Sequence, residues 1–538
     1  MPSSVPIVPV KDGLFREQPG GPVLLGGRCP SCRRLHFPSL PVCPYCSSDG
    51  CTEEAMGRRG RLYLHTAVVH RPPGYKGPVP YGFGVVELPE GIRVVTRLTE
   101  ADPAKLEPGQ PVELVLEPLH RDEEGRDVLC YAFAPTEGRE AVLEPAEEFR
   151  PPLPPAARLS GGREVEIAGV GLHPFGRFPE KDVVRLGIEA VRQALAEAGI
   201  ERGGFEAAYC GTVYSGVAAG HKVLTALGLT GVPIVNVEAG CASGGAALIF
   251  GYEAIRSGRY DCVLVFGMEK MPRGIIRSSF FEPWREEAGL AANPAYFALR
   301  ARRLMLENGV TREHLARVSV KNHRNGVDNP YAMYRKEFSL EEVLSSPVVC
   351  DPLTLYMLCS PNEGAAAVVL RAARGENRGR VFVTAASLRS HLPGGVLGEH
   401  TPLSGLVGDP PGPTELAARD VYESAGIGPG ELDVVELQDT DSARELLSYE
   451  ELGLCPRGDC ARFLEAGHTE RGGRIPVNPS GGLLSKGEPL GASALGQIVE
   501  LYWQLRGRAE RRQVEGAKVA LAHTVGRGAN ACVVLLRR

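Results

Sequence analysis

The chain reads as an α/β protein with a small all-β module ahead of it, and three observations carry that reading. From about residue 164 onward, short apolar runs of strand length alternate with helical patterns. Before that stand several alternating stretches separated by Gly and Pro turns. A proline-rich break, Glu147-Glu-Phe-Arg-Pro-Pro-Leu-Pro-Pro-Ala-Ala, divides the two regions and predicts a semi-rigid extended linker. At 538 residues the chain exceeds one hydrophobic core and should divide into two or three domains.

Residues 1–50 open the chain with Cys29-Pro-Ser-Cys32 and Cys43-Pro-Tyr-Cys46. Two such knuckles are the ligand pattern of a tetrathiolate zinc site, and a module this short gains folding energy from the metal. Cys29, Cys32, Cys43 and Cys46 are therefore the expected ligands of a structural zinc, with Cys51 outside the pattern. Residues 51–139 hold five strand-like runs, beginning Gly60-Arg-Leu-Tyr-Leu, Tyr81-Gly-Phe-Gly-Val, Arg93-Val-Val-Thr, Pro111-Val-Glu-Leu and Val128-Leu-Cys-Tyr. They predict a small antiparallel barrel. The linker is assigned to 140–163.

Val183 to Gly199 predicts an amphipathic helix ended by glycine. Asp261-Cys-Val-Leu-Val-Phe, Ala365-Ala-Ala-Val-Val-Leu, Val381-Phe-Val-Thr-Ala, Leu432-Asp-Val-Val-Glu-Leu-Gln and Lys518-Val-Ala-Leu-Ala-His predict buried strands. Pro233-Ile-Val-Asn-Val predicts another, running into a helix from Ala242 to Arg256. Cys241 sits between them, in Gly240-Cys-Ala-Ser-Gly-Gly-Ala-Ala. A thiol at a strand-to-helix turn faces the positive end of the helix dipole, which favours thiolate. An isolated cysteine is more often an inert core residue; this setting points to a nucleophile.

Composition narrows the function. A net charge of −5, from 60 basic and 65 acidic residues, gives no general basic field, so nucleic acid is not an expected partner. No apolar run reaches membrane-span length, and no secretory pattern opens the sequence. Fourteen cysteines spread over this length do not suggest a disulfide scaffold, so a reducing cytoplasm is expected.

The Cys241 segment, followed by Asp261-Cys-Val-Leu-Val-Phe-Gly-Met-Glu-Lys-Met, resembles the nucleophile segment of thiolases, most nearly the sterol-carrier-protein type. The resemblance runs from about Val165 to the C-terminus. It includes Asn329-Pro-Tyr, Asn362-Glu-Gly-Ala-Ala-Ala, Glu445-Leu-Leu-Ser-Tyr-Glu-Glu-Leu-Gly-Leu-Cys455 and Asn478-Pro-Ser-Gly-Gly-Leu-Leu-Ser-Lys-Gly487. It implies the thiolase fold, two similar βαβ-type halves at 164–375 and 376–538, with a substrate-facing loop region at 272–360. Tyr81-Gly-Phe-Gly-Val-Val-Glu-Leu and Leu106-Glu-Pro-Gly-Gln-Pro-Val-Glu-Leu resemble the zinc-ribbon plus OB-fold proteins that accompany thiolase-like enzymes, here fused in one chain.

The resemblance implies a coenzyme A thioester as substrate, a homodimer and room for a pathway enzyme as partner. Cys241 would be the nucleophile, and its N–H together with that of Gly526 an oxyanion hole. The remaining positions depart from the family. Glu488, in Gly487-Glu-Pro489, stands where the activating His is expected. Gln438-Asp439-Thr440-Asp441 replaces a His-Asp-Cys-Phe motif, and Thr524, beside His523, replaces a second cysteine position. Cys241, Glu488, Gln438, Thr440, His523 and Gly526 are the expected catalytic set, with Asp439, Ser480, Gly481 and Tyr331 binding substrate. His323 and His173 are read as structural.

Three functions compete. Acyl transfer through a Cys241 acyl-enzyme leads, because that turn is intact. A retro-aldol cleavage of a β-hydroxyacyl-CoA is favoured by the altered bases, with Glu488 or a tyrosine such as Tyr331 or Tyr356 accepting the hydroxyl proton. A non-catalytic acyl-CoA-binding scaffold is the third.

Overall fold

A computed structural model describes residues 6–137, 149–156, 161–201, 203–277, 281–375, 379–397, 403–527 and 529–538. Its body is built on nine strands in the order Ile234–Val237, Ala207–Gly211, Cys262–Lys270, Glu363–Ala372, Val165–Gly176, Phe382–Ser390, Asn530–Arg537, Val519–Gly526 and Val434–Glu436. The two halves of that path repeat each other. Ala207–Gly211 pairs in parallel with Cys262–Lys270, which pairs antiparallel with Glu363–Ala372, which pairs antiparallel with Val165–Gly176. Val434–Glu436, Val519–Gly526, Asn530–Arg537 and Phe382–Ser390 show the same parallel, antiparallel, antiparallel sequence. The halves meet where Val165 and Glu166 pair with Val383 and Phe382. This duplication is the one that the thiolase resemblance implies.

Helices Ser243–Arg256 and Leu490–Leu505 pack together between the half-sheets, while Val183–Glu197 and Pro413–Ala425 cover the outer faces. Leu490–Leu505 is buried along almost its whole length, its polar Gln497, Glu500 and Gln504 bonded to Thr524, Arg512 and the Arg512 carbonyl. Its close approach to the sheet depends on missing side chains: a Cβ on Gly267 would lie 1.9 Å from the Gly491 carbonyl oxygen. Asp182 caps the helix Val183–Glu197 by accepting from Arg185 N at 2.7 Å. Among the described residues, no helix is long and apolar enough to cross a membrane.

The N-terminal region differs from its sequence reading in three ways. The five strands Arg59–Val68, Tyr81–Leu88, Ile92–Leu98, Pro111–Arg121 and Asp127–Pro135 do close a barrel, because the fourth pairs with both the fifth and the first. One pair, Asp127–Pro135 on Ile92–Leu98, is parallel, since the chain crosses over from residue 99 to 110 before returning. The barrel is therefore mixed rather than antiparallel. Second, Thr52–Ala55 pairs with Gly21–Arg28 and belongs to the ribbon sheet, which carries the ribbon past residue 50.

Third, the module is not structurally separate. Ser404–Leu406 from the C-terminal half adds a strand to Ile92–Leu98, and Val348–Cys350 meets Arg59–Val68 through Cys350 and Val68. One continuous apolar core runs from Phe37 and Tyr131 through Phe83 and Tyr296 to Leu446. The assigned linker falls partly outside the described residues, at 140–148 and 157–160. Within its described part, the carbonyls of Pro154 and Pro155 accept from Arg419 and Arg389, so it runs against the body.

Candidate active site

The ends of the inner strands and helices converge on a cavity of about 840 Å³. Cys241 lies at its wall, two residues ahead of the helix Ser243–Arg256, with Met271 and Leu490 packed around it. The peptide dipoles of that helix favour an anion at the turn. The turn is held against the loop after Val519–Gly526 by glycines on both sides. A Cβ on Gly526 would fall 2.0 Å from the Ala239 carbonyl oxygen, and one on Gly240 would lie 3.2 Å from Gly526 Cα. Gly526 and Cys241 thus line the cavity side by side.

Glu488 is the polar centre of the site. Gln438 Nε2 donates to its Oε1 at 2.7 Å, Cys359 Sγ donates to its Oε2 at 3.3 Å, and the Cys241 thiol also hydrogen-bonds it. Burial pushes the Glu488 carboxyl above the ordinary glutamate range, and these three donors pull in the opposite direction without cancelling the shift. The Gln438 carbonyl oxygen is buried with no protein partner, on a side chain that lines the cavity. Thr440 lines it as well and donates to Asp441 at 3.2 Å.

Cys359, absent from the sequence's candidate set, also lines the cavity. It comes from the end of the loop region, and backbone bonds fix it on both sides. Its N–H donates to the Thr440 carbonyl at 2.9 Å, and Glu488 N–H donates to the Ser360 carbonyl at 2.9 Å. Nothing in its local sequence marks it; its place in the cavity beside Glu488, shared with Cys241, does.

Five sequence assignments fall away from the cavity. Asp439 turns to the opposite side from its neighbours Gln438 and Thr440; it accepts from Leu483 N at 2.6 Å, Leu484 N at 3.2 Å and Asn322 at 2.8 Å. It shapes the backbone that precedes Glu488. Ser480 donates to Glu436 at 2.6 Å, in a buried group with Lys486, and Gly481 serves a backbone turn at φ 98°. Tyr331 packs at a tilt against Trp503, with ring centroids 5.1 Å apart. His523 is buried in its strand against Thr414 at 2.9 Å, and burial holds its imidazole well below the ordinary histidine range, so it is neutral.

Much of the apolar lining comes from the loop region, including Phe297, Phe338, Leu355 and Leu358. Tyr356 belongs to it, stacked on Phe338 with centroids 4.2 Å apart. His323 also reaches the cavity, contrary to a purely structural reading. Burial lowers it to about 4, so it faces the cavity as a neutral imidazole whose Nδ1 has no protein partner. His70, just past the first barrel strand, contributes to the same lining.

In the ribbon, the Sγ atoms of Cys29 and Cys46 are 3.5 Å apart, those of Cys32 and Cys43 3.6 Å, and all four lie within 4.8 Å. A tetrahedron of thiolates around zinc at about 2.3 Å has edges of about 3.8 Å, so the four sulfurs fit the ion. This is the one such cluster among the described residues.

Four family models match. The thiolase N-terminal domain covers residues 165–374, and the thiolase C-terminal domain-like model covers 412–538. The ChsH2 rubredoxin-like zinc ribbon domain covers 22–50, and the ChsH2 C-terminal OB-fold domain covers 53–117. Sterol carrier protein 2 of Oryctolagus cuniculus is 39% identical over 404 residues, spanning 71% of this chain and 73% of that protein. Acetyl-CoA acetyltransferase of Methanothermobacter thermautotrophicus is 38% identical over 391 residues, 70% of this chain and 100% of that protein. Among solved structures, the Ltp2-ChsH2(DUF35) aldolase aligns with a TM-score of 0.61 at 23% identity, covering 70% of this chain and 97% of that one, which speaks to the fold. The chain belongs to the thiolase family, as an enzyme whose thiolase body carries a ChsH2-type zinc ribbon and OB-fold at its N-terminus.

Proposed function

We propose that this protein is a C-acyltransferase that makes or breaks the carbon–carbon bond next to a CoA thioester, through an acyl-enzyme on Cys241. The observation that carries the reading is the Cys241 thiol bonded to a buried carboxylate at the head of a helix, facing a large apolar cavity. Glu488 takes the Cys241 proton, the thiolate attacks the substrate carbonyl, and the Cys241 and Gly526 N–H groups stabilise the resulting oxyanion. A glutamate does here what the family's histidine does elsewhere. Its raised pKa brings it nearer to thiol acidity than an exposed carboxylate would be. The volume and apolar walls of the cavity suit an acyl group bulkier than acetyl.

A retro-aldol lyase acting on a β-hydroxyacyl-CoA is the second reading. Tyr356 on the cavity wall and the Glu488 replacement favour it, since that reaction needs a base and an oxyanion hole but no acyl-enzyme. Intact-mass measurement after incubation with a panel of acyl-CoAs separates the two. A stoichiometric thioester on the protein, lost in Cys241→Ala, supports acyl transfer. Release of an aldehyde or ketone that survives Cys241→Ala supports the lyase.

The same reading includes a homodimer and a reducing, cytoplasmic setting suited to two free thiols on one carboxylate. Ile234–Val237 is an edge strand with Val235 exposed, and the helix Ser243–Arg256, which packs against it, exposes Phe250. An apolar edge of this kind calls for a partner. Cys29, Cys32, Cys43 and Cys46 would hold zinc, which ties the ribbon's folding to the metal.

A further inference from the structure

We propose that Cys359 is the second catalytic thiol of this site, exchanging a proton with the α-carbon of the substrate while Glu488 serves Cys241; the proposal rests on the acyl-transfer reading above. Its basis is a juxtaposition. Two thiols from distant parts of the chain converge on one carboxylate, and both line the same cavity. Gln438 occupies the other carboxylate oxygen and completes the array. The backbone bonds on either side of Cys359 leave it little freedom to leave this position. Among the described residues, no other cysteine lines the cavity. Thr524 offers no substitute, because its hydroxyl donates to Gln497 at 2.8 Å inside the protein.

The environments of the two thiols divide the work. Burial, and then the charge of Glu488, drive the Cys359 thiol well above its ordinary value. Cys359 is therefore held as an acid, and its thiolate, once formed, is a strong base. Cys241 lies at the helix terminus, where an anion is favoured.

In the cleavage direction the proton inventory closes. Glu488 takes the Cys241 proton and the thiolate adds to the β-carbonyl. The tetrahedral adduct collapses with rupture of the Cα–Cβ bond, leaving an acyl-enzyme and the enolate of the departing CoA thioester. Cys359 protonates that enolate at the α-carbon and becomes a thiolate. The incoming CoA thiol gives its proton to Cys359 and attacks the acyl-enzyme. Cys241 leaves as thiolate and recovers its proton from Glu488. Both thiols and the carboxylate end as they began.

The test uses the full-length protein with acetyl-CoA and propionyl-CoA as probes in D₂O. Two readouts are followed: the equilibrium stoichiometry of Cys241 acylation by intact mass, and deuterium uptake at the thioester α-carbon. Cys359→Ala and Cys359→Ser are expected to reach the wild-type equilibrium stoichiometry of acylation, though more slowly because Cys359 also protonates the departing CoA thiolate, and to lose α-deuteration by about 10²-fold or more. Serine keeps the hydrogen bond to Glu488 but is far too weak an acid, so it separates proton transfer from mere positioning. Exchange by Cys359→Ser within a few-fold of wild type would overturn the proposal, as would unchanged exchange in Cys359→Ala. An acylated wild type that does not exchange would overturn it too. A wild type that is never acylated would sink the acyl-transfer reading, and this proposal with it.

Discussion

Glu488→Gln is the most informative single change. Glutamine has the same shape, so its carbonyl can still accept from Gln438, and its amide nitrogen turns toward the two thiols as a donor. What is lost is the ability to take a proton from Cys241. A positioned base contributes about 10²–10⁴-fold, and the lower bound corresponds to about 2.7 kcal/mol of barrier. We expect kcat/KM, measured as CoA thiol released or consumed, to fall at least 10²-fold. The pH profile offers an independent check. Because burial raises the Glu488 pKa, the wild-type acid limb should lie above the ordinary glutamate range, and the variant should lack it. Stability should move the other way. A carboxyl with a raised folded pKa holds its proton more tightly folded than unfolded, so its contribution is fully present below the unfolded pKa. That contribution is lost as pH rises through the folded value. The glutamine variant escapes this loss, so its Tm relative to wild type should climb with pH across that window. A variant that keeps half of wild-type kcat/KM, or an unshifted acid limb, would refute the role assigned to Glu488.

Three other outcomes are expected. Gln438→Leu removes a donor that stabilises the Glu488 carboxylate, so the acid limb of kcat/KM should move to higher pH; an unchanged limb would count against the array. Elemental analysis should find one zinc per chain, and Cys29→Ser should abolish it and lower Tm, because the ribbon shares the core of the barrel. Light scattering should give twice the chain mass, and Val235→Asp on the exposed edge strand should shift the species toward monomer; a monomeric wild type at micromolar concentration would contradict the pairing.

Local pattern carried much of the fold. The barrel strand Tyr81–Leu88 is read from alternation at its observed bounds, and Val183–Glu197 stops short of the glycine that the sequence marks as its end. The turn around Cys241 was legible because strand, glycine and small-residue helix are contiguous. The site was legible only where one segment contains it. Gln438 and Thr440 line the cavity, but Asp439 between them faces away, as successive residues in extended chain do. His523 lies beside the expected position yet points into the core. Cys359 carries no local signal, because its meaning comes from a carboxylate far along the chain. The strands that Val348–Cys350 and Ser404–Leu406 lend to the barrel are too short to announce themselves by period.

Those borrowed strands bear on how the chain is made. The barrel strand Ile92–Leu98 emerges from the ribosome early, but the strand that covers its edge, Ser404–Leu406, follows about 300 residues later. At roughly 5–20 residues per second, that edge waits on the order of 15–60 s for its own chain to cover it. Phe37 N–H, made earlier still, waits longer for the Ser404 hydroxyl that accepts it at 2.8 Å. During that interval the nascent module exposes a sheet edge and apolar core surface that the finished protein hides. Fusing the ribbon and barrel to the thiolase body guarantees one copy of each partner at every site, and it also leaves the first-synthesised module incomplete until the C-terminal half is under way.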